Sequence, residues 1–539
     1  MPRNVWAILT AGCVLLVASP ARAQSKDQKP APSAEQPPKE PAPSLSPPKE
    51  AAPSVPPPTE QAASPPSQDQ WFIRPAFVLK AGAASNWTLT VYGFAEADMM
   101  RDSTRSFNDG LNNGVIAHTF TQAHDNPRLQ FTVRNSRLGF KAETPPFAGV
   151  RTSGVLEFDL FGNQPNINGG GGSPGQPSGP GVTTEAAYFN SPAFRVRHAF
   201  VKLESSIIDV LAGQTYHLLG WQNYFFGSSC GFLGFPNMLL NRTGQVRLSH
   251  TFEAGPIIVD VALAALRPAQ RDSAVPDGEA GVRLAVNHWK AMTTPGSGGT
   301  GALPAAIGVS GLARYFQVDP YAPLPAKPIP LSGWAIAANI LLPILPAADS
   351  THRGNTLTLT GEFVTGSGDA DQYTGLTAGA TMPNAQPYPL GTSFDNKGSV
   401  VPTGAGNEPL YGSPYTPNVD PGLVALDTRG AYHTINWQTF VIGAQYYLPP
   451  SGRIFVTGNY SHGKSDNIEN FYHPDLQGRF PWVNSWNVFT SSWYVDGNIF
   501  VDVTPSTRVG LSYQRVEQTL ADGTTVHNDR FESTFLYFL

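Results

Sequence analysis

Charged residues recur at every second position in several stretches of this sequence. Arg195 and Arg197 are two residues apart, and so are Glu157 and Asp159. On an extended strand such neighbours emerge on the same face about 6.6–7 Å apart, so a pair can act on one solute together. Guanidinium groups bind carboxylates and phosphates in a two-point geometry. The chemistry that these residues indicate is the reversible binding of small anions.

The full candidate set belongs to the polar parity of short alternating segments. We expect these side chains to line a water-filled lumen and set its selectivity: Arg137, Lys141, Arg195, Arg197, Arg247, Arg283, Glu96, Asp98, Glu157 and Asp159. A ring of arginine favours anions. The alternative is that arginines and acids pair across adjacent strands and stiffen the wall. The acids crowd the first and third predicted strands and the arginines the second, fourth and sixth, which favours an anion preference.

The elements that must position these residues are amphipathic β-strands. Leu138 and Phe140 alternate with Arg137 and Lys141, and the pattern returns after a turn at 144–150. Such period-2 alternation predicts strands with one apolar and one polar face. About sixteen strands are predicted, near residues 87–99, 129–143, 151–161, 194–204, 207–216, 244–254, 256–266, 279–289, 305–317, 332–343, 355–365, 434–448, 452–462, 487–503, 507–519 and 525–539.

The connections between these strands alternate between short and long. Short ones include 205–206 and 504–506, and long ones include 101–128, 217–244 and 366–433, as in an outer-membrane barrel. A soluble β-sandwich is the alternative, but apolar outer faces flanked by aromatics persist in the later strands. The predicted fold class is all-β, a transmembrane antiparallel β-barrel of about 16 strands after a disordered Pro-rich segment.

Composition limits the remaining classes of protein. The chain has 539 residues, of which 14% are charged and 41% apolar, and its formal charge of −5 argues against nucleic acid as a partner. No apolar run after the first two dozen residues approaches the ~18 needed for a membrane helix.

Three regions are expected along the chain. Residues 1–23 read as a signal peptide that ends in Ala21-Arg22-Ala23, which predicts export. Residues 24–70 are rich in Pro, Ala, Ser, Lys and Glu and predict a disordered periplasmic spacer, either an inert tail or an arm that contacts peptidoglycan. Residues 71–539 form the barrel domain. Without the signal peptide, Cys230 is the one cysteine left, so no intrachain disulfide is expected.

Five segments in order resemble the general trimeric bacterial porins, and most closely the DcaP-like porins. They begin at Val91 (VYGFAEAD), Asn135 (NSRLGFK), Arg195 (RVRHAFV), Leu211 (LAGQTY) and Asn241 (NRTGQVR). The resemblance implies a homotrimer in outer-membrane lipid that passes small hydrophilic solutes by diffusion, with no cofactor and no enzyme activity. It also implies that the connection between the fifth and sixth strands, or its neighbour, folds into the pore. The prolines forbid the coiled coil that usually precedes the DcaP-like barrel.

That connection contains an unusually apolar run from Trp221 to Leu240. An exposed loop would not keep so many apolar side chains in water. Packing on a neighbouring subunit or on the barrel wall is therefore favoured over a hydrophobic lining of the pore. His198 and His250 fall on the outward parity and are expected at a subunit interface. The second functional hypothesis is an outer-membrane barrel enzyme, a lipase or protease, although no recognisable nucleophile motif is present.

Overall fold

The structure is a computed structural model, and it describes most of the predicted barrel domain. The described residues are 77–81, 87–111, 114–162, 192–221, 234–270, 273–293, 301–318, 327–350, 352–376, 393–394, 400–401, 419–420, 422–426, 431–471 and 488–539. The predicted signal peptide and Pro-rich spacer lie outside the described residues.

The described chain is almost entirely β-strand, with a four-residue helix at Gln122–Asp125. The strands are β1 (Phe77–Ala81), β2 (Trp87–Asp102), β3 (Arg128–Thr132), β4 (Arg137–Glu143), β5 (Arg151–Gly162), β6 (Ala193–Glu204), β7 (Asp209–Tyr216), β8 (Arg242–Ala254), β9 (Ile257–Leu266), β10 (Asp277–Thr293), β11 (Gly301–Val318), β12 (Ile329–Leu345), β13 (Thr356–Ser367), β14 (Ser393–Phe394), β15 (Val400–Val401), β16 (Val424–Leu426), β17 (Tyr432–Thr434), β18 (Asn436–Tyr447), β19 (Ile454–Lys464), β20 (Phe489–Thr504), β21 (Thr507–Leu520) and β22 (Thr525–Phe538). Among the described residues, no helix is long and apolar enough to cross a membrane.

Antiparallel pairing of these strands closes a barrel of 16 strands. Both β3 and β4 pair with β2 and together occupy one position in the wall, and the ring closes where β22 pairs with β2 from Phe94↔Phe538 to Asp102↔Arg530. β22 does not reach the first residues of β2. There β1 pairs with β2 instead, from Phe77↔Val91 to Ala81↔Trp87, and so covers the edge of β2 that β22 leaves unpaired. Closure satisfies the backbone hydrogen bonds of a wall that has no free edge.

The two faces of the wall differ as the alternation predicts. Large apolar side chains are exposed on the outer face, among them Leu263, Val282, Ile307, Val309, Ile336, Phe363, Ile442, Leu511, Phe531 and Phe535. Polar side chains are buried on the inner face, among them Glu96, Glu157, Asp260, Asn339, Thr360, Glu362, Gln445, Asn459, Asp496, Gln514 and Glu532. An apolar outer face suits lipid and a polar inner face suits a wet lumen.

All sixteen predicted strands are present close to their predicted bounds. The main differences are that the strand predicted at 129–143 is interrupted between β3 and β4, that β10 and β11 extend to Thr293 and from Gly301 and so shorten the connection between them, and that β1 was not predicted. Pairing between the two strands, from Lys290↔Pro304 to Thr293↔Gly301, extends β11 through the Ala- and Pro-containing stretch 301–305, because a partner strand can impose pairing that local propensity does not.

The connections at one end of the barrel are mostly longer than those at the other, although L8 has only four residues and the connection 346–355 at the opposite end has ten. We number those at the first end in chain order: L1 (103–127), L2 (163–192), L3 (217–241), L4 (267–276), L5 (319–328), L6 (368–435), L7 (465–488) and L8 (521–524). Parts of L1, L3, L6 and L7 pack into a buried apolar cluster with the inner wall, which includes Ile116, Leu239, Tyr373, Ile468 and Trp437. The apolar core of this barrel therefore lies among its loops.

Candidate constriction and arginine cluster

L3 leaves the wall after β7 and turns sharply across the inner face. Gly220 and Trp221 have positive φ angles of 75° and 45°, a region that a bulky residue such as tryptophan rarely adopts. Wall side chains hold this turn: Glu279 of β10 accepts the backbone N–H of Leu218 at 2.7 Å, and Ser310 of β11 accepts that of Gly220 at 2.7 Å. Since the surrounding bonds fix the turn, the strain at Trp221 persists.

The Trp221 indole lies in a recess made by two glycines. A Cβ at Gly281 of β10 would come within 3.0 Å of the ring, and one at Gly308 of β11 within 2.7 Å. Arg283 covers the ring from above, with its guanidinium carbon 5.6 Å from the ring centroid. The two glycines are required because any side chain there would displace the indole.

The return limb of L3 contacts the wall on the far side of the barrel. Phe235 stacks on Tyr494 of β20 at a centroid distance of 5.1 Å, and Asn237 donates to the hydroxyl of Ser461 of β19 at 3.3 Å. Leu239 donates its N–H to Glu362 of β13 at 3.0 Å. Because β19 and β20 lie half the ring away from β7 and β8, L3 crosses the lumen and narrows it.

L6 reinforces this crossing from above. Leu240 donates its N–H to the carbonyl of Gln372 at 2.9 Å, and Thr374 donates to that of Met238 at 2.9 Å. Leu239 and Tyr373 face each other as an antiparallel bridge. The constriction is therefore built from two loops.

The sequence prediction for L3 is confirmed where the structure describes it. The connection between the fifth and sixth strands folds inward, and Trp221 and Phe235 pack on the barrel wall. The aromatic residues between 222 and 233 lie outside the described residues. Glu279 and Glu362, which hold L3, were missed, because a single acid on an alternating strand carries no signal that distinguishes it from other lumen acids.

A second feature of the lumen is a cluster of charged residues on β4 to β8. Arg195 donates to both oxygens of Asp159, at 2.9 and 2.6 Å. Arg197 donates to Glu157 at 2.7 Å, to Asp159 at 3.0 Å and to the Tyr216 hydroxyl at 2.8 Å. The two arginines are thus paired with acids across β5 and β6, which is the geometry of the wall-stiffening alternative.

A β-bulge in β6 changes the parity predicted for this strand. His198 pairs with Glu157 and Val196 with Phe158, so Arg197 is an extra residue in the register. The outward placement of His198 is therefore wrong: its side chain is buried and lies 3.0 Å from the Thr215 hydroxyl. Phe200 shares the parity of His198, so it too is predicted to face outward, and it is buried for the same reason. His250 lies on the outward parity and contacts Phe252 at a ring distance of 4.4 Å.

Arg242 joins the cluster although the sequence pattern did not select it. Its guanidinium donates to the Tyr216 hydroxyl at 3.3 Å and stacks 5.2 Å from the centroid of that ring. In the part of the chain that the structure describes, no carboxylate contacts it. Arg247 donates to Gln245 at 2.8 Å and to the carbonyl of Tyr216 at 2.6 Å. Arg242 is the first residue of β8, and its pairing with Tyr216 of β7 places it beside the other arginines. That pairing depends on the strand register and has no signal in the local sequence.

The other predicted residues lie at four places on the inner face. Arg137 lies near Arg197, donates to Asn135 at 3.3 Å and stacks 5.2 Å from Phe94. Lys141 pairs with Glu143 at 3.0 Å, and Arg283 pairs with Asp260 at 2.7 Å. Glu96 accepts a hydrogen bond from Asn135 at 2.6 Å, and Asp98 is buried on the same strand.

We call the grouped residues the arginine cluster: Arg137, Arg195, Arg197, Arg242, Arg247, Glu157 and Asp159. Five guanidinium groups against two carboxylates leave a formal charge of +3 on this wall. Beside this cluster, Glu96, Asp98 and Glu532 lie near one another on β2, which pairs with β4, and on β22. The candidate residues therefore do not form one ring. Within the described residues there is no group of three or more side chains arranged to hold a metal ion.

In L6, outside the wall, one acid has a perturbed ionisation. Asp369 is fully buried and accepts a hydrogen bond from the Tyr373 hydroxyl at 2.8 Å. Burial raises the pKa of Asp369 to about 7, because the charged form has lost its hydration and the Tyr373 and Arg314 contacts offset only part of that cost.

Comparison with known proteins places this fold among the outer-membrane porins. The outer membrane channel DcaP of Acinetobacter baumannii superposes with a TM-score of 0.53 at 15% identity, over 86% of this chain and 99% of that one. The anion-selective porin from Comamonas acidovorans (TM-score 0.41, 9% identity, 84% and 100% coverage) and OmpT of Vibrio cholerae in its trimer form (0.42, 9%, 84% and 99%) are more distant. No protein-family model and no curated protein matches the sequence. The resemblance to DcaP-like porins is confirmed at the level of the fold.

Proposed function

We propose that this protein is an outer-membrane porin through which small hydrophilic solutes diffuse. The observation that carries the proposal is the crossing of a closed, polar-lined barrel by L3. A polar lumen with a loop at its waist suits passive transport, because solutes are selected there by size and charge. The fold shared with the channel DcaP supports the same class.

We further propose a preference for anions such as small carboxylates. The formal charge of +3 on the arginine cluster supports it, because a local excess of positive charge on the wall of a narrow lumen attracts anions. Arg195 and Arg197 are already paired with carboxylates of the wall, whereas Arg242 contacts no described carboxylate. Arg242 is therefore the better candidate to bind a passing anion. The ten predicted lumen residues remain candidates for selectivity, and Arg242 joins them.

The surroundings follow from the same proposal. The apolar outer face would contact outer-membrane lipid or sister copies in a homotrimer, and the 24–70 spacer would lie in the periplasm, where it can reach peptidoglycan. In this arrangement residues 1–23 are the signal peptide, 24–70 the spacer and 71–539 the barrel domain.

Single-channel recording of the full mature chain in planar bilayers tests the function. We expect stepwise conductance, and in asymmetric potassium chloride a reversal potential of the sign set by chloride. The enzyme alternative predicts turnover of lipid or peptide substrates by the purified protein without conductance, and that result would replace the channel proposal.

A further inference from the structure

The L6 segment 369–376 is docked inside the barrel on top of L3. Besides the two bonds that flank the Leu239–Tyr373 bridge, Asn237 donates its N–H to the carbonyl of Thr374 at 3.0 Å, and the Thr374 hydroxyl donates to the carbonyl of Phe235. Leu239 and Tyr373 form the non-hydrogen-bonded type of antiparallel pair, because the bonds run between their neighbours. This segment makes up one half of the constriction.

L3 and the L6 segment are attached to the wall in different ways. The two described limbs of L3 are held by hydrogen bonds that they donate to Glu279, Ser310, Glu362 and Ser461, which belong to four different strands. Withdrawing L3 would leave two buried wall carboxylates without their N–H donors, and that is costly.

The L6 segment has a charged attachment that can be given up more easily. Arg314 of β11 donates to Asp371 at 2.5 and 3.2 Å, and at the same time it contacts Asp277 of β10 at 2.8 Å. Arg314 is almost fully buried, whereas Asp371 is partly exposed. When Asp371 leaves, Arg314 keeps Asp277 as its counter-charge, so release does not strand a buried cation.

The segment also contains a buried acid, Asp369. Its carboxylate accepts from Tyr373 within the same segment, and the charged groups near it are Arg314 of β11, Asp371 of L6 and, around Tyr373, Glu362 of β13. Ionised Asp369 is disfavoured in the docked position, whereas it would be hydrated after release. Docking of the segment is therefore balanced between favourable pairing and a burial cost.

From this asymmetry we infer that the L6 segment 369–376 is the removable half of the constriction. While docked on L3 it narrows the lumen, and when Asp371 leaves Arg314 it withdraws and widens the passage, with L3 left in place. The inference rests on the proposed channel function and adds a regulated step to it. The channel then has two conductance levels that interconvert by movement of one segment.

A disulfide between the two loops tests the inference directly. Leu239→Cys and Tyr373→Cys, made in a Cys230→Ser background, place two thiols at a cross-strand pair of the type whose Cα atoms lie about 4.5 Å apart, within the range of a disulfide. We expect the oxidised channel to lose the larger conductance level and to regain it after reductant is added. Each protein is its own control, because the two states differ by one bond.

Mass spectrometry verifies the cross-link. If the verified oxidised channel still shows the larger level, the L6 segment does not gate the lumen. If the parent protein itself never conducts, the channel proposal fails instead, so the two failures are distinguishable.

A second variant weakens the attachment without a cross-link. Asp371→Asn removes the charge opposite Arg314, and we expect the ratio of open to closed time to rise roughly tenfold, which corresponds to about 1.4 kcal/mol. Asp349→Asn is the matched control, because Asp349 is an exposed acid in the connection after β12 and pairs with His352. Equal ratios in Asp371→Asn, Asp349→Asn and the parent would overturn the inference.

Discussion

Two arginines that share one hydroxyl are expected to respond differently to the same substitution. Arg197 and Arg242 both donate to the Tyr216 hydroxyl, but Arg197 also pairs with Glu157 and Asp159, whereas Arg242 contacts no described carboxylate. Replacing each by glutamine in turn removes the same charge from the same wall. The difference between the two variants then isolates the contribution of the ion pairs.

For Arg197→Gln the dominant effect is on assembly. Asp159 keeps Arg195, but Glu157, with a side chain only 7% exposed, keeps the Tyr92 hydroxyl at 3.1 Å and loses its arginine. Removing one partner of a buried ion pair costs about 3–5 kcal/mol. We therefore expect a lower temperature for the heat-modifiable shift in gel mobility and a lower yield of folded barrel.

For Arg242→Gln the dominant effect is on selectivity. The formal charge of the arginine cluster falls from +3 to +2 while both carboxylates keep their partners. A unit charge about 7 Å away in water contributes about 0.6 kcal/mol, or a roughly two- to threefold change in local anion occupancy. Reversal potentials in asymmetric salt should therefore move toward zero, while the heat-modifiable shift stays at the parental temperature.

The opposite pattern would refute this reasoning. If Arg242→Gln leaves the reversal potential unaltered while Arg197→Gln assembles normally with altered selectivity, then the paired arginine acts on solutes and Arg242 does not. The double variant Arg195→Gln with Arg197→Gln should assemble poorly, because both acids then lose their arginines.

Three further outcomes are expected. Gly308→Ala should displace the Trp221 indole and change single-channel conductance, whereas Gly497→Ala, where a Cβ meets nothing within 4 Å, should not. Equal conductance in both variants would contradict the role of Gly308 in seating the indole. Because the pKa of Asp369 is raised to about 7, the contribution of Asp369 to docking of the L6 segment is lost as pH rises from about 4 to about 7; longer closed times at the upper end of this range, or the same trend in Asp369→Asn, would oppose this. Deleting residues 24–70 should leave folding and conductance intact, and loss of the barrel would show that the segment is more than a spacer.

The sequence alone determined the wall of this barrel. In β21, Val509, Leu511 and Tyr513 alternate with Arg508, Ser512 and Gln514. The structure leaves Val509 half-buried and Leu511 and Tyr513 exposed, and it buries the second set. This prediction succeeds because burial on one face and pairing on both edges impose the same period of two on every strand. The apolar outer face of β22, on which Phe531 and Phe535 are exposed, is predicted for the same reason.

Only the tertiary structure decided what occupies the lumen. The bulge at Arg197 reverses the parity of His198 and Phe200, and no local pattern marks it, because it depends on the register with β5. The pairing of Leu239 with Tyr373 joins loops that are far apart in sequence, and Glu362 serves both the wall and L3. Alternation is a local property that each strand carries by itself, whereas loop docking depends on side chains that only ring closure brings together.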